Sequence, residues 1–320
     1  MIDLLIVGQP FWGLHFAQGL NTYAPDIRAT FVPQGRYLQL LARPPQSERL
    51  AIMRAGYRVG ATTPRGRLFD AFWWLLRRAL PNAKGIHYWI GTDVLNTLTE
   101  ARAGTLRWAP LSGSRDDLHL AAAPWLVAEL EEVGLRSKVA HVLPMSPAPL
   151  EPAPMPTEFT VLSYLPGDRF AFYGGPQTLE AARRLPDVRF DIVGRGEPQA
   201  SAPPNVRWHG WVQDMGERYA QASVVVRIPQ HDAYGNTAIE GLFNARHVVH
   251  SYEVPFARQL RPVTADGLVA VLEELRAAHH EGRLELNLAG RDWALAEFDE
   301  SRVANEMAAL VREQFEASDA

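Results

Sequence analysis

Seven short apolar runs, separated by amphipathic stretches, constrain this chain more than any other feature. They are DLLIVG (3–8), GIHYWIG (85–91), DLHLAAA (117–123), KVAHVLP (138–144), FTVLSYL (159–165), VRFDIVG (188–194) and SVVVRIP (223–229). Strands that are apolar on both faces need a cover on both sides. The intervening FAQGLNTYA, DVLNTLTEARAG, PWLVAELEEVG, PQTLEAARRLP and DMGERYAQA have the apolar spacing of helices that could provide it. The alternation predicts an α/β fold with parallel, doubly covered sheets.

One stretch breaks the pattern. PMSPAPLEPAPMPTE (144–158) has six prolines in fifteen residues. Proline fixes its own φ and lacks an amide hydrogen, so the stretch suits neither a helix interior nor a sheet and reads as a connector. It splits the 320 residues into two similar α/β halves, and a hydrophobic content of 47% fills two ordinary cores. The expected organisation is a domain over 1–145, a linker over 146–157, a second domain over 158–292 and a terminal helix over 293–320. On that helix Val303, Met307, Leu310, Val311 and Gln314 share a face, with Phe315 beside it.

Composition excludes several classes. A net charge of −4 gives no general attraction to nucleic acid or anionic membrane, and the absence of cysteine rules out disulfides and thiolate metal sites. The start, MIDLLIVGQPFWG, reads as a first strand rather than a signal peptide, and no window approaches a membrane span. A soluble, cytoplasmic protein is expected. Lysine occurs only at Lys84 and Lys138, so an anion bound by the second half must meet arginine, backbone amides or helix ends.

RIPQHDAYGNTAIEGL (227–242) carries the most chemistry. It reads as a strand end, a glycine turn and a helix start, with Asp232 before the turn and Glu240 within the helix. In a doubly wound sheet ligands bind at the carboxyl ends of strands, where helix N-termini offer free amides to phosphate. Tyr234, Gly235, Asn236 and Thr237 would supply those amides, and a carboxylate suits the paired hydroxyls of a sugar. The plainer reading makes Asp232 a turn residue and Glu240 a solvated helix residue.

HDAYGNTAIEGLFNARHVV resembles the signature of the retaining glycosyltransferases of family 4: an acid, seven residues, a glutamate, then a small-residue helix and a strand. Here Asp232 replaces the usual first glutamate. FDIVGRGEP, NVRWHGWVQDMGERYAQASVVVRIP, AAAPWLVAELEEVGLRSKVAHVLP and the terminal RDWALAEFDESRVANEMAALVREQF are similar to further segments of that family, in the same order. The resemblance implies the GT-B fold, in which two Rossmann-like domains with parallel sheets face each other across a cleft. The N-terminal domain takes the acceptor, the C-terminal domain takes the nucleotide-sugar donor, and the last helix crosses back. It also implies that Glu240 holds the ribose hydroxyls, that Asp232 contacts the transferred sugar, and that the amides from Tyr234 to Asn236 meet the diphosphate. The loop after Gly194, with Arg195 and Gly196, and the segment Trp208 to Val212, with Trp211, would shape the base pocket. Both tryptophans could equally be ordinary core or surface aromatics.

The chain departs from the family at one point. The family's first loop of the second domain carries an arginine and a lysine that neutralise the diphosphate. Here LSYLPGDRFAFYGGPQTLEA puts Tyr173 at the lysine position, and Arg169 is the cation nearby. Either Arg169, with Arg227 or Arg195, compensates, or donor use is altered, or the chain binds without catalysing.

The first half is less specific. VGQPFWGLHFAQGL offers Gly8 and Gly13 but lacks the G-x-G-x-x-G fingerprint. By the resemblance this loop lines the cleft opposite the diphosphate, with Gly13 beside the donor and His15 near the reacting sugar; a structural role for His15 is the alternative. Asp93, in IHYWIGTDVLNTL, is either a helix N-cap or a contact for the acceptor hydroxyl. His87 reads as a packed strand residue. LSGSRDD (111–117) offers Ser112, Ser114 and Arg115 to an acceptor. GRLFDAFWWLLRRALP (66–81) places Phe69, Phe72, Trp73, Leu76 and Leu80 on one stripe, as in a core-facing helix, and a peripheral membrane contact is the other reading.

The expected activity is a metal-independent, retaining hexosyltransferase moving a sugar from a nucleotide-diphosphate sugar to an acceptor hydroxyl of a carbohydrate, lipid or small molecule. No cofactor beyond the substrate and no nucleic-acid partner are expected. A nucleotide-sugar epimerase or phosphorylase of the same fold, and a catalytically lapsed nucleotide-sugar-binding protein, are the alternatives.

Overall fold

The computed structural model describes residues 1–56, 62–107, 116–194 and 202–316. Arg195, Gly196, Ser112, Ser114 and Arg115 lie outside the described residues. The chain forms two compact units, one of Met1–Leu143 with Asp299–Ala320 and one of Pro144–Phe298.

Unit 1 is built on a six-stranded sheet of β1 (Ile2–Gly8), β2 (Ile27–Phe31), β3 (Leu50–Ala55), β4 (Lys84–Trp89), β5 (Leu118–Ala121) and β6 (Lys138–Val139). Their order is β2-β1-β3-β4-β5-β6, parallel throughout. Its helices are α1 (Pro10–Tyr23), α2 (Tyr37–Ala42), α3 (Pro64–Ala79), α4 (Thr92–Arg102), α5 (Pro124–Glu132) and α11 (Glu300–Glu316).

The seven apolar runs of the sequence do not include β2 or β3, and the reason is physical. In β2 the sequence IRATF exposes Arg28 and Thr30 at the sheet edge. In β3 the sequence LAIMRA is wholly buried, Arg54 included. Arg54 is tolerated because it donates to Asp70 at 3.0 Å and lies 4.5 Å above the Phe69 ring. The stripe of α3 is as expected: Phe69, Trp73 and Leu76 are buried against the sheet, and Leu80 just after the helix joins them.

Unit 2 carries β7 (Thr160–Tyr164), β8 (Arg189–Val193), β9 (Val206–Trp208), β10 (Val224–Arg227), β11 (His247–His250) and β12 (Arg258–Gln259). Their order is β12-β11-β10-β7-β8-β9, again parallel. Counted within the unit this is the 3-2-1-4-5-6 order of the dinucleotide-binding fold, and it reverses between β7 and β10. Its helices are α6 (Gly175–Arg184), α7 (Gly216–Ala220), α8 (Asn236–Phe243), α9 (Ala265–His280) and α10 (Leu288–Phe298). Val161, Phe190, Ile192, Val224 and Val226 of the strands pack with Leu179 of α6 and Leu268, Leu272 and Leu275 of α9.

Two boundaries differ from the sequence reading. The terminal segment is two helices, because the Asp299 carboxylate caps α11 by accepting from Arg302 N at 2.8 Å. The proline-rich segment clusters with unit 2, where it is bound. Arg246 donates to the carbonyls of Ala153 and Pro154 at 2.7 and 3.2 Å, and Arg291 to those of Pro149 and Leu150 at 2.6 and 3.0 Å.

Candidate functional site

The reversal point of unit 2 is where its chemistry gathers. β7 ends at Tyr164 and β10 at Arg227, and these strands are neighbours in the sheet. The loop after β7 brings Arg169 and Tyr173, and the loop after β10 brings Asp232 to Gly235 and the start of α8.

Arg227 sits at the centre. Its guanidinium lies 4.5 Å above the Tyr173 ring and 5.5 Å above that of Tyr164, and it forms an ion pair with Asp232. Burial is the strongest single influence and opposes its charge, but Asp232 together with Tyr173 and Tyr164 outweighs it and holds the pKa above the ordinary value. Asp232 Oδ1 also accepts from Ala233 N at 3.0 Å. Arg169 stacks 4.0 Å from Phe172 and 5.3 Å from Tyr173, so Tyr173 lies beside both guanidinium groups.

Gly235 is required by this packing. Its φ is +73°, and a Cβ there would stand 2.6 Å from Arg227 Nε. Ala238 N and Ile239 N both bond to its carbonyl, starting α8. The first amides of the helix then have no intrahelical acceptor. Thr237 Oγ1, in the first turn, is buried without a hydrogen-bond partner. The Tyr234 side chain turns the other way, with its ring 5.1 Å from Phe298 and its hydroxyl pushed up to about 12 by burial. What Tyr234 offers the site is therefore backbone.

Glu240 is not a solvated helix residue. It is 4% exposed and accepts from the Tyr219 hydroxyl at 2.6 Å. Burial raises its pKa to about 6, against the opposing pull of hydrogen bonds from Tyr219 and from Ser146. It is ionised at neutral pH and aligned by two hydroxyl-bearing side chains.

Of the other expected site residues, Gly194 stays with this site. Gly194 has φ +83°, and a Cβ there would meet the Tyr164 ring at 2.6 Å, which keeps it beside the reversal point. Trp211 is 74% exposed, whereas Trp208 packs against the core of the unit. In unit 1, Gly13 is explained by packing, since a Cβ there would collide with the Phe31 ring. His15 Nε2 lies 3.2 Å from the Leu143 carbonyl. Asp93 is buried, and its carboxylate accepts from the amides of Ile90, Gly91 and Val94 at 2.8 to 3.2 Å. It is not the N-cap of the sequence reading, because the helix starts at Thr92 with Gly91 as its cap, and Asp93 ties the first turn back to the preceding loop. His87 packs as expected, facing Asp117 at 2.8 Å and stacked 4.8 Å from His119.

The sequence reading did not anticipate Tyr219 or Ser146. Tyr219 stands in a run likened to the family's, but nothing local to it or to the linker announces a partnership with Glu240.

No protein-family model and no curated protein sequence matches the chain. Solved structures do match in fold. HepE of Anabaena, in complex with UDP-glucose, aligns with a TM-score of 0.68 at 12% identity, over 98% of this chain and 100% of that one. Sucrose-phosphate synthase of Thermosynechococcus elongatus aligns at 0.72 and 14% identity, over 99% and 100%. A glycosyltransferase of Rickettsia africae aligns at 0.67 and 11% identity, over 98% of each chain. Two Rossmann-like α/β units with parallel sheets, matched over nearly their whole length by these enzymes, define the GT-B fold.

Proposed function

We propose that the protein is a glycosyltransferase that takes a nucleoside-diphosphate sugar as donor and passes the sugar to an acceptor hydroxyl with retention of configuration. One observation carries the reading: Arg227 packs against Gly235 at the start of α8, at the carboxyl end of β10 where the strand order of unit 2 reverses, and the buried, ionised Glu240 lies further along the same helix. The fold is shared with HepE, whose structure holds UDP-glucose, and this supports the same donor class here.

In this reading Glu240 accepts hydrogen bonds from the ribose hydroxyls, and the amides at the start of α8 receive the diphosphate. Cleavage of the sugar–phosphate bond places growing negative charge on the departing nucleoside diphosphate. Amides and guanidinium groups fixed beforehand stabilise that charge without reorganising. Asp232 contacts the transferred sugar. The acceptor oxygen bonds to the anomeric carbon on the face the phosphate leaves, and its proton passes to the departing phosphate oxygen, so no protein nucleophile is used. No metal is assigned a part; the cations are arginines.

The acceptor is read as a hydroxyl compound, carbohydrate, lipid or small. The outer face of α3 supports peripheral contact with a membrane, since Leu68, Trp74 and Leu75 are exposed there beside Arg78. Among the described residues no helix is long and apolar enough to cross one.

The test is a panel of nucleotide sugars incubated with the protein. Slow release of free sugar with the donor's anomeric configuration, together with nucleoside-diphosphate binding by calorimetry, is the expected result. Inverted product would overturn retention, and absence of nucleoside-diphosphate binding would overturn the donor reading. Accumulation of an isomerised sugar would replace transfer by epimerisation.

A further inference from the structure

We propose that Arg227 is the diphosphate-binding cation of this site, and that an incoming diphosphate takes it from Asp232 by ion-pair exchange; the inference rests on the donor reading above.

The anion site is argued from the residues themselves. Arg227 is 7% exposed, and its Nε is buried without a hydrogen-bond partner. A buried guanidinium N–H left without an acceptor is costly, so its direction is informative. That direction is fixed by Gly235: a Cβ there would stand 2.6 Å from Nε, 3.1 Å from Cζ and 3.2 Å from Nη2. The Nε–Nη2 edge of the fork therefore lies against Gly235, the residue that caps the start of α8, where the helix dipole favours an anion and Thr237 Oγ1, in the turn that follows, is also buried without a partner. This edge has the geometry for bidentate contact with a phosphate.

Asp232 now holds Nη2, one of the two donors on that edge. A phosphate engaging both donors must displace it. The guanidinium itself is restrained by the faces of Tyr173 and Tyr164, so the carboxylate is the partner that moves. Once released, Asp232 is available to the sugar that follows the diphosphate. The pair so keeps the acid occupied until a donor arrives. Unit 2 itself contains no lysine to share this work.

The exchange predicts opposite effects for its two partners. Calorimetry would compare wild type, Arg227→Met and Asp232→Asn with the nucleoside diphosphate that binds, its monophosphate and inorganic pyrophosphate. Arg227→Met is expected to reduce the preference for diphosphate over monophosphate by roughly tenfold to a hundredfold, with monophosphate affinity largely kept. Asp232→Asn removes the competitor and is expected to tighten diphosphate and pyrophosphate binding several-fold. An unchanged preference in Arg227→Met, or weaker diphosphate binding in Asp232→Asn, overturns the proposal. If Arg227→Met does not fold, Asp232→Asn alone decides. If no nucleotide binds wild type, the donor reading falls, and pyrophosphate still tests the exchange: tighter binding in Asp232→Asn upholds it and no binding ends it.

Discussion

The Tyr219 hydroxyl donates to Glu240 Oε2 at 2.6 Å inside unit 2, joining the short helix α7 to the middle of α8. Both groups are buried, so neither has water as an alternative partner. Tyr219→Phe removes the donor and leaves Glu240 less well compensated. A hydrogen bond to a charged group is worth about 1.5–3 kcal/mol, and part of that loss should appear as a further rise in the Glu240 pKa. The expected outcome is a loss of nucleoside-diphosphate affinity of about tenfold at neutral pH, recovered partly at higher pH. Calorimetric titrations across pH check it; a loss independent of pH would detach Tyr219 from the ionisation of Glu240.

The pH dependence at Glu240 has a definite sign. Its folded pKa of about 6 lies above its ordinary 4.5, so between these values the folded state binds the proton more tightly. Its contribution to stability is therefore largest below pH 4.5 and declines as pH rises to 6, by about 2 kcal/mol for a shift of this size. Donor binding has the opposite sign, because ribose hydroxyls need an ionised acceptor, and affinity should fall as pH drops through 6. Glu240→Gln is expected to flatten both profiles, making the ligand-free protein more stable at pH 7 and binding nucleotide more weakly. Urea melts and calorimetry on the same samples test this, and a destabilised Gln variant at pH 7 would contradict it.

Gly235→Ala tests the close approach behind the anion site. The substitution faces a φ of +73° and a collision with Arg227 Nε at 2.6 Å. Strain of this kind costs about 1–3 kcal/mol. The collision also pushes the guanidinium from the helix start, so diphosphate affinity should fall more than monophosphate affinity. Equal losses for both ligands would mean that the glycine serves the fold alone.

How much of this was legible in the sequence depended on the range of each interaction. The Asp232–Gly235–Glu240 junction was readable because strand, turn and helix are adjacent in the chain and each has a local signature. The burial of Glu240 was not, since its partners come from α7 and from the proline-rich segment, where Tyr219 and Ser146 look like any helix or loop residue. Gly13 was read as a cleft residue because a glycine after a first strand has two uses, and only the position of Phe31 separates them. The same holds for Asp93, whose backbone contacts depend on the turn at Gly91. Strand β3 was missed because a charge inside an apolar run normally argues for solvent, and Asp70 lies in a later helix.

Strand β3 supplies the last prediction. Arg54 is 1% exposed and Asp70 is buried beside it, 3.0 Å apart, with Arg107 reaching the other carboxylate oxygen at 3.4 Å. Burial lowers the Arg54 pKa to about 10, and Asp70 acts against that fall, leaving the arginine charged at neutral pH. Removing one member of such a pair leaves a buried charge without its counter-ion and costs about 3–5 kcal/mol, whereas replacing both by apolar groups is often neutral. Asp70→Leu alone should therefore destabilise unit 1 severely. Arg54→Met with Asp70→Leu should recover most of the loss, because Met keeps the contact with Phe69 and Trp73 while Arg107 can turn to solvent. A double-mutant cycle by urea unfolding measures the coupling; additive losses would show that Arg54 is held by its aromatic neighbours rather than by Asp70.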